Sequence, residues 1–177
     1  MNFAEYNVKD ANLEEVLLAL KSLDTVEAVA LGGSRSTGAS DENSDYDIYV
    51  YCAEIPTAET RENLLGKYCS IAEFGNHYWE SEDNTVMNNG TPVDIIYREV
   101  DRFGRYIDTV IKGGKAFNGY TTAFWHNIKN SKVLFDKTGT FTKFRDMAQI
   151  DFPENLRSAI IKNNRNLLNG KLPSYDR

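Results

Sequence analysis

The chain has 177 residues, of which 41% are hydrophobic and 12% aromatic, and this composition excludes a disordered chain and fits one ordinary folded domain. Its formal net charge of −6 argues against a general nucleic-acid binder, because such binding depends mainly on Lys and Arg neutralising phosphates. No apolar run approaches the roughly eighteen residues that a membrane span needs. With two cysteines and no charged-then-apolar leader, we expect a reduced, cytoplasmic protein with neither nucleic acid nor membrane as a partner.

Hydrophobic periodicity predicts a chain that alternates helices and strands. Apolar residues at three- and four-residue steps indicate helices, and Asn89-Gly90 indicates a hairpin turn because both residues tolerate positive φ. The predicted elements, in chain order, are helix 12–23, strand 26–31, a short helical turn 34–40, strand 45–52, helix 56–68, β-structure over 71–97, helix 100–111, helix 120–128, strand 133–135, helix 141–147 and helix 154–168. This order predicts an α/β (α+β) fold with a small mixed sheet flanked by helices.

The end of the chain suggests a second domain. Residues 1–150 are expected to form one domain, and residues 151–177 the start of a helical C-terminal domain. The last predicted helix follows Pro153, which suits a helix start, but it would have little of its own domain to pack against. Because residues 172–177 offer neither a stop signal nor a polar tail, we expect the chain to be cut from a longer protein.

Two short motifs provide both halves of a nucleotide-handling site. Gly32 and Gly33 follow a predicted strand, and paired glycines let the backbone turn tightly and approach a ligand such as a phosphate. Asp45 and Asp47 stand two apart in a β-rich run, so the alternation of a strand points both carboxylates to one face. Adjacent carboxylates repel each other unless a cation lies between them. Mg²⁺ fits, since it commonly binds one or two carboxylates plus substrate phosphates.

These residues resemble a known family. Gly33-Ser34, a spacer over 35–44 and Asp45-Tyr46-Asp47 are similar to the Gly-Ser and Asp-x-Asp motifs of the DNA polymerase β-like nucleotidyltransferase superfamily, in its small bacterial antibiotic-modifying and minimal types. The run around Asp94 resembles the strand that carries a third carboxylate in that superfamily. The resemblance covers residues 25–100 well and the remainder loosely, and it implies the nucleotidyltransferase fold.

The resemblance also implies a two-ion magnesium mechanism. Asp45 and Asp47 would hold two Mg²⁺ ions together with the triphosphate of ATP or another nucleoside triphosphate. Asp94 would join one ion and help to deprotonate the acceptor hydroxyl. The implied catalytic and metal-binding residues are therefore Asp45, Asp47 and Asp94.

The glycine turn completes the implied site by binding phosphate. Ser34 and the neighbouring backbone N–H groups of Gly32 and Gly33 would bind the β- and γ-phosphates, and Arg35 would supply a further positive charge. A solvated surface arginine is an equally open interpretation of Arg35.

The expected reaction moves a nucleoside monophosphate, AMP from ATP, to a hydroxyl of a small molecule such as an aminoglycoside- or lincosamide-like acceptor, and releases pyrophosphate. Two alternatives stay open. One is an antitoxin-type enzyme that adenylylates a protein, and the other is a nucleotide-binding domain that never turns over. Acceptor identity, base preference and oligomeric state do not follow from the sequence.

Each motif also has a purely structural interpretation. The residues before Asp47 fit a polar turn, although Asp is disfavoured inside a strand. Asp94 fits a lone acid on a solvated hairpin, although its apolar neighbours indicate a buried strand, where an unpaired carboxylate is costly. His126 is interpreted as a core or surface histidine, and the acidic residues of 80–83 as a solvated rim. The dense aromatic residues are interpreted as core; they are Tyr78, Trp79, Tyr120, Phe124 and Trp125.

Overall fold

The chain folds around a six-stranded mixed sheet, seen in a computed structural model that describes residues 11–41, 44–117 and 121–168. The described elements are α1 Ala11–Ser22, β1 Val26–Leu31, α2 Gly33–Thr37, β2 Tyr46–Cys52, α3 Ala58–Leu65, a 3₁₀ helix Gly66–Tyr68, β3 Cys69–Asn76, β4 Ser81–Met87, β5 Pro92–Glu99, α4 Val100–Ile111, α5 Ala123–Asn130, β6 Lys132–Asp136, α6 Thr140–Ala148 and α7 Glu154–Leu168. This architecture confirms the predicted mixed sheet flanked by helices.

The strand order places one parallel pair at the centre of the sheet. The order is β3-β4-β5-β2-β1-β6, in which β2 and β5 run parallel and every other neighbouring pair runs antiparallel. Most side chains of β2 and β5 are buried, as expected for strands that helices cover on both faces. Because β2 and β5 start at the same level of the sheet, polar residues near the first residues of the two strands lie side by side.

Helices cover the two faces of the sheet with separate cores. On one face, α1 and α3 bury the even-numbered apolar side chains of β2 together with Leu13, Val16, Leu20 and Leu65. On the other face, α4, α5, α6 and the start of α7 form an aromatic core. Members of this second core include Tyr51, Phe103, Phe124, Trp125, Phe141 and Phe144. The alternation of β2 therefore sends Asp47, Tyr49 and Tyr51 to the aromatic side.

The described bounds agree with most predicted elements and differ at a few informative places. Asn12 lies inside α1 and not at its cap. The helix predicted to reach residue 68 ends at Leu65 and continues as the 3₁₀ helix. Asp45 lies one residue before β2, because the strand begins at Tyr46. Residues 42–43 of the motif spacer and Tyr120 of the predicted helix 120–128 lie outside the described residues.

Two interpretations of the β3–β4 region are wrong. Tyr78 and Trp79 were interpreted as core, yet they are 81% and 76% exposed on the connection between the edge strand β3 and β4. Asp83 was interpreted as part of a solvated rim, yet it is fully buried and paired with Arg61 at 3.1 Å. The interpretation is confirmed for Phe124 and Trp125, which are 5% and 4% exposed.

The start of α7 packs on the aromatic core. Leu156 is fully buried there, and Ile160 packs against the same core. Asn163 also donates a 3.4 Å hydrogen bond to the carbonyl of Ala116. The prediction of a separate helical domain from residue 151 stays a prediction. None of the described helices is both long and apolar enough to cross a membrane.

Candidate functional site

The glycine turn after β1 presses directly against β2. The Gly32 N–H donates a 2.8 Å hydrogen bond to the carbonyl of Asp47, and a Cβ on Gly32 would lie 2.9 Å from Cδ2 of Tyr49. Gly33 has a φ of +59°, and a Cβ there would overlap the Asp47 carboxylate, 2.7 Å from its Cγ. Both positions therefore need glycine, and the reason is the close approach of the turn to Asp47 and Tyr49.

Two carboxylates lie side by side below this turn. Asp47 on β2 pairs in register with Asp94 on the parallel strand β5, so the two side chains point to the same face from strands about 4.8 Å apart. Both are half-buried. Asp45 is exposed, two residues before Asp47 and immediately ahead of β2. The structure thus brings Asp47 and Asp94 together and puts Asp45 at the adjoining surface.

The electrostatics of this carboxylate group are unfavourable without a cation. Burial, followed by repulsion from Asp45, Asp94 and Glu82, raises the pKa of Asp47 from its ordinary value of 3.8 to about 6. Near neutral pH, ionising the Asp47 side chain therefore costs more free energy than it does in water. A bound cation would reverse the repulsion, so the charge distribution around Asp47 fits a metal ion.

The donor set fits magnesium better than a structural metal. Among the residues that the structure describes, no three His, Cys, Asp or Glu side chains lie close enough together to form a cage for a metal ion, and this holds for Asp45, Asp47 and Asp94 as well. Mg²⁺ seldom uses such a cage, because it usually takes one or two protein carboxylates and completes its shell with water and substrate phosphates. The neighbouring carboxylates of Asp47 and Asp94, with Asp45 beside them, match that requirement.

Arg35 has a different position from the one expected of a phosphate ligand. Its Nε donates hydrogen bonds of 3.0 and 2.9 Å to the carbonyls of Ser44 and Asp45, and its Nη2 also donates to Ser44. The guanidinium stacks 4.0 Å from the ring centre of Tyr46. Arg35 therefore braces the loop that carries Asp45, and these contacts explain its half-buried position.

A pocket of about 180 Å³ lies between α2 and α5, beside the glycine turn. On the α2 side it is lined by residues that include Gly33 and Ser34, and on the α5 side by His126, Asn127 and Asn130. Asn127 is fixed by a 2.7 Å hydrogen bond from its Nδ2 to the Tyr49 hydroxyl. The sequence analysis interpreted His126 as a core or surface histidine and did not consider the two asparagines, because the spacing of these residues shows a shared helix face but not which element that face meets.

A third strand extends the carboxylate row. Asn84 on β4 pairs with Asp94 and donates through Nδ2 a 3.0 Å hydrogen bond to Asp94 Oδ1 and a 2.6 Å bond to Glu82 Oε1. Its Oδ1 accepts a 2.9 Å bond from Nδ2 of Asn76. Sequence reasoning also missed these residues. Alternation puts Glu82 and Asn84 on one face of β4, but only the register against β5 brings that face to Asp94.

Further along the same face of the sheet, Arg98 and Glu80 neutralise each other in an ion pair. Arg98 on β5 binds Glu80 at 2.8 Å and donates a 3.3 Å hydrogen bond to the Tyr51 hydroxyl. Its guanidinium packs 4.4 Å from the ring centre of Tyr49 and 4.5 Å from that of Phe103. Arg98 is therefore committed to the aromatic core and to Glu80.

Comparison with known proteins shows the family of the chain. Residues 13–117, more than half of the chain, match the family model described as nucleotidyltransferase domain. No match to the chain was found among curated proteins.

Solved structures with a similar fold include a toxin-antitoxin with AMP-PNP, at 15% identity and a TM-score of 0.46, covering 89% of this chain and 95% of that one. They also include the Cid1 poly(U) polymerase, at 20% identity and a TM-score of 0.42, covering 72% of this chain. A complex of Cid1 with the UTP analogue UMPNPP has 18% identity, a TM-score of 0.38 and 71% coverage of this chain. The chain spans 39% of the length of Cid1 in the former and 42% in the latter.

Proposed function

Because the chain belongs to the nucleotidyltransferase domain family and is a transferase, we propose that it transfers AMP from ATP to a hydroxyl of a small-molecule acceptor and releases pyrophosphate. One observation carries the proposal: Asp47 and Asp94 lie in register on neighbouring parallel strands, and Asp47 lies directly against the glycine turn at Gly33. This arrangement offers carboxylates for a metal and backbone for phosphate at one place on the sheet.

Each carboxylate has a proposed role. Mg²⁺ held by Asp45, Asp47 and Asp94 together with the triphosphate would neutralise the charge that develops on the phosphates, and the family resemblance implies two such ions. The acceptor oxygen forms a bond to the α-phosphorus, and the bond from that phosphorus to the bridging oxygen of pyrophosphate breaks. Asp94 takes the proton of the acceptor hydroxyl. Its place beside Asp47 on β5 supports this role.

The proposed phosphate site is the turn at Gly32, Gly33 and Ser34. The Gly32 N–H is already bonded to the Asp47 carbonyl, so the N–H groups of Gly33 and Ser34 at the start of α2 are the ones proposed to bind phosphate oxygens. The adjoining pocket supports the proposal, because it brings the hydrogen-bonding side chains of His126 and Asn130 on α5 to the side of Ser34. Arg35 is proposed to hold the loop of Asp45 in place.

The acceptor is proposed to be a hydroxyl-bearing compound that also carries positive charge, as an aminoglycoside does. The carboxylate row on this face and the net charge of −6 favour a cation over an anion. Tyr78 and Trp79, an exposed pair with ring centres 5.7 Å apart, offer faces for a sugar ring or an ammonium group. The free thiols of Cys52 and Cys69 support the proposed cytoplasmic location.

Label transfer tests this function. The chain is incubated with Mg²⁺ and ATP labelled at the α-phosphate, with kanamycin, lincomycin or no acceptor, and the products are separated by thin-layer chromatography. We expect labelled acceptor and an equal amount of pyrophosphate with kanamycin, and neither product with Asp47→Asn or Asp94→Asn. Both variants preserve side-chain shape and remove the charge.

The outcomes separate the alternatives. Label that appears on a protein band and not on a small molecule would replace the proposed acceptor with a protein. Transfer that persists at the full rate in Asp47→Asn would contradict the proposed site, since Asp47 is the carboxylate closest to the turn. Gly38→Ala, a change in open space at the end of α2, serves as the control for handling and folding.

A further inference from the structure

Asn84 occupies a position that the proposed mechanism does not yet use. It is half-buried on β4, paired with Asp94, which in turn pairs with Asp47. In-register pairing directs all three side chains to one face, so they form a row across three adjacent strands. Asn84 is the neutral end of this row.

The hydrogen bonds of Asn84 fix which way its amide points. Carboxylates accept but cannot donate, so the Nδ2 group must face Asp94 and Glu82. The carbonyl Oδ1 then faces the Nδ2 group of Asn76, at 2.9 Å. Asn76 is itself held through its Oδ1, which accepts a 2.9 Å hydrogen bond from the Tyr78 N–H. A chain of oriented amides thus leads from the β3–β4 connection to the carboxylate of Asp94.

The bond to Asn84 constrains one oxygen of Asp94. Because Oδ1 accepts from Asn84, Asp94 has a fixed rotation, and Oδ2 remains for a metal or for an acceptor proton. A Lys or Arg at position 84 would hold the carboxylate equally well, but its charge would lower the basicity of Asp94 and compete with a metal ion. A neutral amide donor orients Asp94 and separates it from Glu82 without either cost.

We infer that Asn84 is a positioning residue, which orients the Asp94 carboxylate for metal binding and proton removal. The inference rests on the proposed function, since it acts only through Asp94. Removing a hydrogen bond to a metal-binding side chain typically lowers metal affinity or activity by about 10- to 100-fold.

Manganese binding tests the inference without needing the acceptor. Mn²⁺ is titrated by electron paramagnetic resonance into the protein with the non-hydrolysable analogue α,β-methylene-ATP. We expect Asp94→Asn and Asn84→Ala each to weaken the tightest Mn²⁺ site of the protein by about 10-fold or more. Asn84→Leu, which keeps a similar volume, loses the donor and adds no charge, should weaken it as much. The affinity for the nucleotide analogue should stay within about twofold, because the turn at Gly33 is unchanged.

Asn88→Ala is the matched control. Asn88 follows the same strand and donates a 3.0 Å hydrogen bond from its Nδ2 to the Lys67 carbonyl, away from the carboxylate row. Asn76→Ala is the second variant: it leaves Asn84 in place but frees its amide, and we expect a smaller loss of about 2- to 10-fold. Thermal melts of all variants without metal separate an orienting effect from unfolding.

The result identifies which proposal fails. If Asp94→Asn weakens Mn²⁺ binding while Asn84→Ala and Asn76→Ala behave like Asn88→Ala, the inference about Asn84 is overturned and the proposed metal site stands. If Asp47→Asn and Asp94→Asn leave Mn²⁺ affinity unchanged, the proposed metal site is itself wrong, and the role of Asn84 falls with it. A fall in kcat of Asn84→Ala for pyrophosphate release, at an unchanged KM for ATP, would give independent support.

Discussion

A Cβ atom at Gly33 would overlap the carboxylate of Asp47. The two residues are fourteen positions apart in the sequence and belong to separate motifs, yet each determines what the other position tolerates. The turn can come this close to β2 only because Gly33 has no side chain. The half-buried carboxylate of Asp47 occupies the space that a Cβ at position 33 would need. The phosphate-binding and metal-binding parts of the proposed site are therefore one packed unit.

Gly33→Ala should damage the site beyond the cost of its backbone conformation. At a φ of +59° a residue with a Cβ is strained by roughly 1–2 kcal/mol, and the methyl group would also displace Asp47. Gly38→Ala provides the control, since Gly38 has a φ of +78° with nothing within 4 Å of a Cβ. We expect the free energies of unfolding of the two variants to agree within about 2 kcal/mol, but transfer activity to be lost only in Gly33→Ala. Equal activities, measured by pyrophosphate release, would contradict this coupling.

Asp47→Asn should stabilise the metal-free protein. The folded-state pKa of Asp47, about 6, lies above its ordinary value of 3.8, so the folded protein holds this proton more tightly than the unfolded chain. The resulting stability is fully present below pH 3.8 and is lost as the pH rises through about 6. The shift corresponds to at most about 3 kcal/mol, and solvent screening of the half-buried group reduces this to about 1 kcal/mol.

Urea unfolding at pH 3.5–8 with EDTA measures this effect. The difference in free energy of unfolding between Asp47→Asn and the original chain should grow across pH 4–6 and level off above it. Excess Mg²⁺ with ATP should then raise the melting temperature of the original chain and not that of the variant. A difference that is constant with pH would show that repulsion around Asp47 has been relieved by other means.

Elements with strong periodicity could be predicted from the sequence, because their pattern is local. The strand Val26–Leu31 and the helix Glu154–Leu168 have the predicted bounds, and Gly90 takes the positive φ that the Asn-Gly pair indicates. Asp47 and Asp94 were also identified as candidates, since a carboxylate within an apolar strand is costly without a partner. Features that depend on residues within about ten positions of each other in the sequence could therefore be predicted.

Contacts that depend on strand register or on helix docking could not be predicted. The pairing of Asn84 with Asp94 follows from how β4 aligns with β5, and the place of His126 beside Ser34 follows from how α5 docks. Trp79 was assigned to the core because aromatic residues usually bury area, but β3 is an edge strand whose connection to β4 stays uncovered. These features are set by packing between distant segments.

His126→Ala should weaken triphosphate binding. The imidazole lines the pocket beside Gly33 and Ser34, where it would donate to a phosphate oxygen. Loss of one hydrogen bond corresponds to about a 2- to 10-fold higher Kd for Mg-ATP by calorimetry, with the Kd for AMP unchanged. His77→Ala is the matched control, because His77 is the other histidine of the chain and is exposed between β3 and β4. An equal effect of both changes would exclude a direct contact of His126 with phosphate.

Asp83→Ala should destabilise the fold without any role in the site. Asp83 pairs with Arg61 on the α1 side of the sheet, where the two side chains are 0% and 2% exposed. Removing the acid leaves a buried guanidinium uncompensated, which costs about 3–5 kcal/mol, whereas Glu154→Ala breaks an exposed pair with Arg157 and should cost under about 1 kcal/mol.

Urea unfolding compares these variants. The double change Arg61→Met with Asp83→Leu should recover most of the loss, since apolar groups of similar volume tolerate this position. A loss in Asp83→Ala no larger than in Glu154→Ala would mean that Arg61 finds another partner or reaches water.

Trp79→Ala should raise the KM for a cationic acceptor. Trp79 is 76% exposed next to Tyr78, and the Tyr78 N–H is linked through Asn76 and Asn84 to Asp94, so the aromatic pair borders the proposed acceptor side. A cation–π contact of about 0.5–2 kcal/mol corresponds to roughly a 2- to 30-fold change in KM for kanamycin. The kcat at saturating acceptor should hold, because the contact is made equally before and during transfer.

Fluorescence gives a second readout that needs no turnover. The chain has two tryptophans, and Trp125 is only 4% exposed, so acrylamide quenching should report mainly on Trp79. Kanamycin should protect the original chain from quenching. Ile71→Ala is the control for a change in surface hydrophobicity, since Ile71 is 68% exposed on the edge strand β3. If Trp79→Ala has the same KM as Ile71→Ala and kanamycin leaves quenching unchanged, the acceptor does not reach the β3–β4 connection, and Glu82 becomes the nearer candidate for its cation.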